Sequence, residues 1–377
     1  MTIIDRYLLL LFFKVLFVGF FSLMGLYVMV DTANNFDEFL NYGRQEGSFF
    51  LVLLDYFGPR MLQLFDRLGP ILALIAGMYT IAWLQRTNEL TAIVAGGISP
   101  ARVARPLILA AVLVSVLGGV NRELLLPRVR AQLIYNAQNL RGENARPLTP
   151  MYDNQTDIFL DGKATVGAER RIEAPKIGLP PTLSAFGQRL LARQARYQEP
   201  QAGRPGGYLL EAVEKPTNFA QLSSGEINGQ PVVLTPKDYD WLEPEQGFLV
   251  TSVRFEQLSA GPQWSELASV FDLIDGLRSA NVDYSASTRV RVHARLIQPL
   301  LDMTLFMLGL PLVFGREHRN IFVAIGWALL IVILFIMVTL ACQALGSLYL
   351  TSPAMAAWLP LILLVPPAAA LASRIWQ

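Results

Sequence analysis

The sequence predicts an α-helical polytopic membrane protein: six transmembrane helices carrying an inserted, all-β, jelly-roll-like domain. Three observations predict it. Of 377 residues, 53% are hydrophobic and only 16% charged, too apolar for an ordinary soluble domain. Apolar runs long enough to cross a bilayer recur at both ends of the chain. Between them, from Asn121 to about Arg291, short strand-like stretches alternate with Gly, Pro and Asn turns.

The first run, Tyr7 to Val30, is apolar apart from Lys14, which lies near enough to one end to snorkel. It is too long and lacks the cleavage site of a signal peptide, so it reads as a retained span. Asp31 to Gly47 is polar and acidic. Phe49 to Arg67 is apolar but punctuated by Asp55, Arg60, Asp66 and Arg67. It continues into the uncharged stretch from Leu68 to Gln85, and the two form one long element whose first part leans out of the bilayer or faces a cavity. A third span covers about Val103 to Val120. The organisation is therefore residues 1–121 with three spans, 122–291 as the inserted domain with flanking helices, and 292–377 with three more.

Between the second and third spans lies a compact knob near 87–97. Leu90, Ile93, Val94 and Gly97 repeat at i, i+3, i+4 and i+7, one apolar face of a helix of about two turns. Thr87 or Asn88 is expected to cap its start, where Glu89 meets the positive end of the helix dipole. Gly96-Gly97 ends it, and Ser99-Pro100 opens the next helix.

In the insert, strands are expected at Asp157 to Leu160, Tyr208 to Val213, Val232 to Thr235 and Phe248 to Gln257, with a turn at Asn228-Gly229. Leu133, Ala137 and Leu140 suggest a short helix before them. Leu267, Val270, Phe271, Ile274 and Leu277 mark one leading back to the membrane. A fourth span runs from Leu296 to Gly315, broken by Asp302; Arg316 to Arg319 form a charged turn. From Asn320 to Ser373 no residue is charged, and Gly346-Ser347 with Thr351-Ser352-Pro353 splits that run into spans five and six. Arginines crowd the short loops of one side (Arg86, Arg102, Arg105, Arg316, Arg319) and flank the termini, against only Arg44 opposite. Both termini and the knob are thus expected in the cytoplasm and the insert outside.

The sequence holds no phosphate-binding loop, no H-E-x-x-H, no G-x-S-x-G and one cysteine, Cys342. ATP hydrolysis, disulfides and cysteine metal sites are therefore not expected of this chain. The net charge of +1, without basic clusters, gives no nucleic-acid signal. Asp302, about 13 Å beyond His293 by helical rise, is the best single candidate for an ion-coupled relay. Its alternative is a structural carboxylate paired across helices. Asp55, Arg60, Asp66 and Arg67 either line an amphiphile-binding cavity or pair at the outer interface.

The layout, with Ile4-Asp5-Arg6-Tyr7, Asn88-Glu89-Leu90 through Ala95-Gly96-Gly97-Ile98-Ser99, Pro127, Gln298-Pro299-Leu300, Gly309-Leu310-Pro311 and Trp358-Leu359-Pro360, resembles the LptF/LptG family over nearly the whole chain. Each motif is short, and their order carries the resemblance. It implies a transport subunit, not an enzyme: one permease half in the inner membrane, extracting lipopolysaccharide or a related glycolipid. Its implied partners are a second LptF/LptG-type half, an LptB-like ATPase dimer and an LptC/LptA-like periplasmic bridge. No cofactor is implied for this chain, since ATP would act through the partner. The coupling surface would comprise Arg86, Glu89, Leu90, Ile93, Val94 and Gly97, with Glu89 meeting the ATPase. Family members often carry a basic residue at the outer end of span one; here that stretch is Tyr27-Val28-Met29-Val30-Asp31, leaving Arg60, Arg67 and Arg122 as substrate-cavity candidates. Asn88 interrupts the usual spacing from Arg86 to Glu89, and Asp31 with Asp37 leans towards the G-like branch. The competing readings are a stand-alone ion-coupled carrier using Asp302 and a membrane-anchored periplasmic scaffold.

Overall fold

The structure, a computed structural model, describes residues 2–201, 204–278, 286–314 and 321–376. The chain divides into two compact units, Met1–Arg128 with Ser285–Gln377, and Val129–Tyr284.

In the first unit, α1 (Ile3–Asn34) starts with a reciprocal cap: Asp5 N donates to Thr2 Oγ1, and Thr2 N donates to Asp5 Oδ2. The acidic stretch that follows is a helix, α2 (Phe36–Glu46), ended by Gly47 in the left-handed region. Its polar composition hides a short apolar stripe, Phe36, Phe39, Leu40 and Gly43, of which Phe39 and Gly43 are buried. Phe39 is buried against the rings of Tyr56 and Phe57, with centroids 5.0 and 5.9 Å away. Next comes α3 (Phe49–Arg86), a single helix that absorbs Pro59 and Pro70. The knob is α4 (Glu89–Ala95). Helix α5 (Pro100–Val120) passes through a π-helical stretch, Asn121–Leu125, into α6 (Leu126–Ile134), so the third span extends well beyond Val120.

Of the remaining helices, three short ones belong to the other unit and three long ones to this one. In chain order they are α7 (Phe255–Ala260), α8 (Pro262–Leu267), α9 (Val270–Arg278), α10 (Ala286–Phe314), α11 (Ile321–Ser347) and α12 (Pro353–Trp376). Among the described residues, six helices are long and apolar enough to cross a membrane. The charged turn at 316–319 lies outside the described residues. Ser352 Oγ caps α12 by accepting from Met355 N at 3.2 Å, so the Thr351-Ser352-Pro353 break is a helix start.

One buried apolar cluster joins α1, α3, α5, α10, α11 and α12. Helix α3 is its centre, with the largest buried share of any span. Phe306 of α10 sits where a side chain on Gly77 of α3 would stand, 2.7 Å from the ideal Cβ. This is the small-residue approach that drives helix pairing where lipid supplies no hydrophobic gradient.

The second unit is an antiparallel sheet. Its strands are β1 (Met151–Asp153), β2 (Ile158–Asp161), β3 (Ala164–Val166), β4 (Arg171–Glu173), β5 (Lys176–Gly178), β6 (Arg189–Gln198), β7 (Gly207–Lys215), β8 (Gly225–Ile227), β9 (Gln230–Leu234) and β10 (Gly247–Val250). They pair in the order β1-β2-β5-β6-β7-β10-β9-β8, with β3 and β4 attached through β6. Its main core is lined by Ile158, Ile177, Leu190, Tyr208, Leu210 and Leu249, and a smaller cluster is built from Leu234, Leu242 and Phe248. The Asn228-Gly229 turn is found as expected: both residues have positive φ (53° and 76°), the geometry a two-residue hairpin requires between β8 and β9.

One expected strand is shorter than the sequence indicates. The sequence pattern of Phe248 to Gln257 is that of a strand throughout, but β10 ends at Val250 and α7 begins at Phe255. Gln257 Oε1 accepts from Arg254 N at 2.8 Å, and Phe255 and Leu258, one helical turn apart, both enter the core. Helix α9 starts with the same reciprocal bond type between Ser269 and Asp272, which separates it from α8.

Candidate functional site

Helix α4 and its two corners form the first candidate. Asn88 is the residue before its first turn, but it holds a left-handed φ of 58° and its side chain caps nothing. Thr87 is drawn back onto α3, its hydroxyl donating to the Trp83 carbonyl at 3.0 Å. The expected side-chain cap is therefore absent; a backbone bend makes the corner. At the other end Gly97 N donates to Val94 O (2.9 Å) and Ile98 N to Ile93 O (3.3 Å), with Gly97 at φ 81°. That pair of bonds is a Schellman closure, and it requires the residue after the helix to be left-handed.

The apolar face is narrower than the four-residue repeat suggests. Leu90 is buried and Ile93 packs on the helical core, whereas Val94 is 43% exposed and Gly97 is exposed. Thr91, Ala92 and Ala95 are exposed with Val94, so the uncovered face is a low ridge of small side chains. Glu89 sits at its edge, half-buried, accepting a long hydrogen bond from Tyr7 Oη of α1 (3.5 Å). Arg86, the last residue of α3, is exposed. Just before it, Gln85 Nε2 donates to Val313 O of α10 at 2.8 Å, which ties the end of α3 to a third helix. Beside the ridge, Thr2, Asp5, Gly97, Ser99, Arg102 and Arg105 line a cleft between the starts of α1 and α5.

The charged residues of the spans form the second candidate, and several of them are paired across helices. Arg122 meets Asp66 of α3 through both Nε and Nη2 at 2.8 Å. Arg60 is buried, stacked 3.3 Å from the centroid of Tyr56, and donates to the Tyr56 carbonyl at 2.7 Å. Arg67 is exposed on α3. The π-helical stretch adds one residue per turn locally and presents neighbours to opposite partners: Arg122 to Asp66, and Glu123 to Arg295 of α10 at 3.8 Å. Asn121 Nδ2 also donates to the Leu62 carbonyl at 2.8 Å. Sequence reasoning missed Arg295, and no spacing signal joins it to Glu123 across the whole insert.

Asp302 lies on α10 with both oxygens occupied, Oδ1 by Gln298 Nε2 and Oδ2 by Ser115 Oγ of α5, each at 2.9 Å. Gln298 is one turn away on the same helix; Ser115 is the cross-helix partner. Among the described residues no group of three or more His, Cys, Asp or Glu side chains is placed to hold a metal ion.

A family model described as "Lipopolysaccharide export system permease LptF/LptG" matches residues 6–176 and 188–374. A comparison with curated proteins gave no match.

Proposed function

The chain belongs to the LptF/LptG family of lipopolysaccharide export permeases, and from that premise we propose that it is one half of an ATP-driven exporter. In this reading it pairs with a second LptF/LptG-type half. An LptB-like ATPase dimer docks on α4, and lipopolysaccharide passes to LptC/LptA-like bridge proteins. The termini and α4 are cytoplasmic, and the sheet-bearing unit is periplasmic.

The observation that carries the reading is the form of α4. It is a seven-residue helix clamped between two spans, with its small-residue ridge uncovered and Glu89 at the ridge's edge. A loop that only joins spans has no need of a Schellman closure or of a tie from Gln85 to a third helix. Such a rigid element passes a push from a bound partner into α3 and α5 without absorbing it. The uncovered apolar faces of α1 (Phe17, Phe21, Leu26) and α5 (Leu109, Leu113, Val116) support contact with lipid and a second half. ATP is then the partner's cofactor, in keeping with the missing phosphate-binding loop. The carrier reading asks Asp302 to exchange protons, but its two engaged oxygens support a structural role in holding α10 to α5.

Glu89→Lys is expected to cut the amount of co-purifying ATPase several-fold, because a reversed charge at a docking surface costs several kcal/mol. Tyr7→Phe, which loses only the 3.5 Å bond, is expected to leave it within a factor of two. Undiminished co-purification with Glu89→Lys would remove that residue from the interface.

A further inference from the structure

The sheet-bearing unit holds a polar pocket of about 690 Å³ that the family assignment does not address. Its volume falls within the range of small-molecule sites, about 300–1,000 Å³. Arg130, Arg170 and Arg254 line it together with Asp153, Glu199 and Glu256, so three cations face three carboxylates and the net charge is zero. These charges are largely matched to one another or to neighbours. Arg170 reaches Glu199 at 2.7 Å and Glu256 at 3.3 Å, and Arg130 meets Asp272 at 3.4 Å. Asp153, 1% exposed, accepts from Thr251 Oγ1 at 2.6 Å and from Gln155 N at 3.0 Å.

The pocket is also preorganised. Arg170 sits in the left-handed region at φ 49°, a conformation that costs a non-glycine residue about 1–2 kcal/mol. Its N–H and C=O are both fixed, to Gly167 O (3.1 Å) and from Tyr197 N (2.9 Å). Tyr197 contributes an aromatic wall, backed by Tyr208 with ring centroids 5.3 Å apart. Thr156 also belongs to the lining, and its hydroxyl oxygen is buried with no hydrogen-bond partner among the described residues.

We propose that this pocket binds a saccharide. An anion would gain Arg254 alone, since Arg170 is held by Glu199 and Glu256 and Arg130 by Asp272, and a cation would find Glu199 and Glu256 already held by Arg170. A sugar brings hydroxyls that donate and accept at once. They use the spare N–H groups and lone pairs of the paired charges, while the C–H face of the ring rests on Tyr197. The inference stands on the pocket's own chemistry and does not require the ATPase coupling.

The test is saturation-transfer NMR on the full-length protein in nanodiscs, with the lipid-free core oligosaccharide released from lipopolysaccharide by mild acid as probe. Saturation transfer to ring protons is expected, with Kd about fivefold weaker for Tyr197→Ala, which removes the aromatic wall. Arg170→Ala is expected to weaken it further. No transfer at millimolar probe overturns the proposal. So does transfer unchanged in both variants, which places the sugar elsewhere, and so does displacement by inorganic phosphate, which makes the pocket an anion site. Because the probe has no acyl chains and no ATPase is present, failure here leaves the permease reading untouched, and failure of that reading leaves this one standing.

Discussion

Asp302 separates the transport readings at the scale of one side chain. A proton relay needs a carboxyl that exchanges; a structural one needs only its hydrogen bonds. Asp302→Asn keeps an oxygen to accept from Ser115 or Gln298, so lipid export is expected to stay within a factor of two of the parent. A strict loss with intact folding would return weight to an ion-coupled carrier. Ser115→Ala is expected to cost about 1 kcal/mol, the scale of one hydrogen bond between membrane helices, read as a lower Tm in detergent. In the sheet-bearing unit Tyr208 is fully buried, and its hydroxyl donates to the Val253 carbonyl at 3.2 Å. Burial pushes its phenol well above the usual range. Folding therefore favours the protonated form. The stability this gives is complete below the unfolded tyrosine value, about pH 10, and is lost as pH rises beyond it. Tyr208→Phe is expected to lower stability by about 1 kcal/mol at neutral pH and to flatten the alkaline limb of a pH–stability profile. An alkaline limb unchanged by the substitution would assign it to other tyrosines.

At the scale of elements, what the sequence disclosed depended on how local the signal was. The α4 knob was readable because its repeat, its Gly-Gly end and Ser99-Pro100 are neighbours. Which of its residues face outward was not, since burial of Leu90 and exposure of Val94 depend on helices far away in the chain. Strand β6, the longest in the sheet, carries no strand signal in its sequence. Arg189–Gln198 has no β-branched residue and reads by propensity as helix, and only pairing with β4, β5 and β7 makes it a strand. The Asn121–Leu125 π-helix is invisible for the same reason; it exists to serve partners on α3 and α10. Arg122→Ala strands Asp66 in a site where both side chains are under one-fifth exposed, and a loss of about 2 kcal/mol is expected in thermal unfolding. A change below about 0.5 kcal/mol would mark the pair as a surface interaction. Gly97→Val forces a branched residue into a left-handed φ, costs at least about 1–2 kcal/mol, and is expected to loosen α4 while the spans stay folded. ATPase stimulation by lipid should fall although the protein still purifies; full stimulation would deny the closure a role.

At the scale of the whole molecule, six membrane helices and an antiparallel sheet unit were legible from composition and periodicity alone. The order of short motifs added the family, which the match over residues 6–176 and 188–374 establishes. The ion pairs Arg122–Asp66 and Glu123–Arg295 and the polar pocket were beyond reach, because each joins residues that sequence spacing does not relate. The central claim is that α4 receives force from an ATPase. It is tested most directly by a photo-crosslinking amino acid at Val94, on the exposed ridge, in the full-length protein in its native membrane. The account predicts a crosslink to a subunit bearing Walker motifs, and none to that subunit from a control at Phe271, 76% exposed in the sheet-bearing unit. Crosslinks from Val94 to lipid alone, or a Walker-motif subunit captured from Phe271 instead, would contradict it.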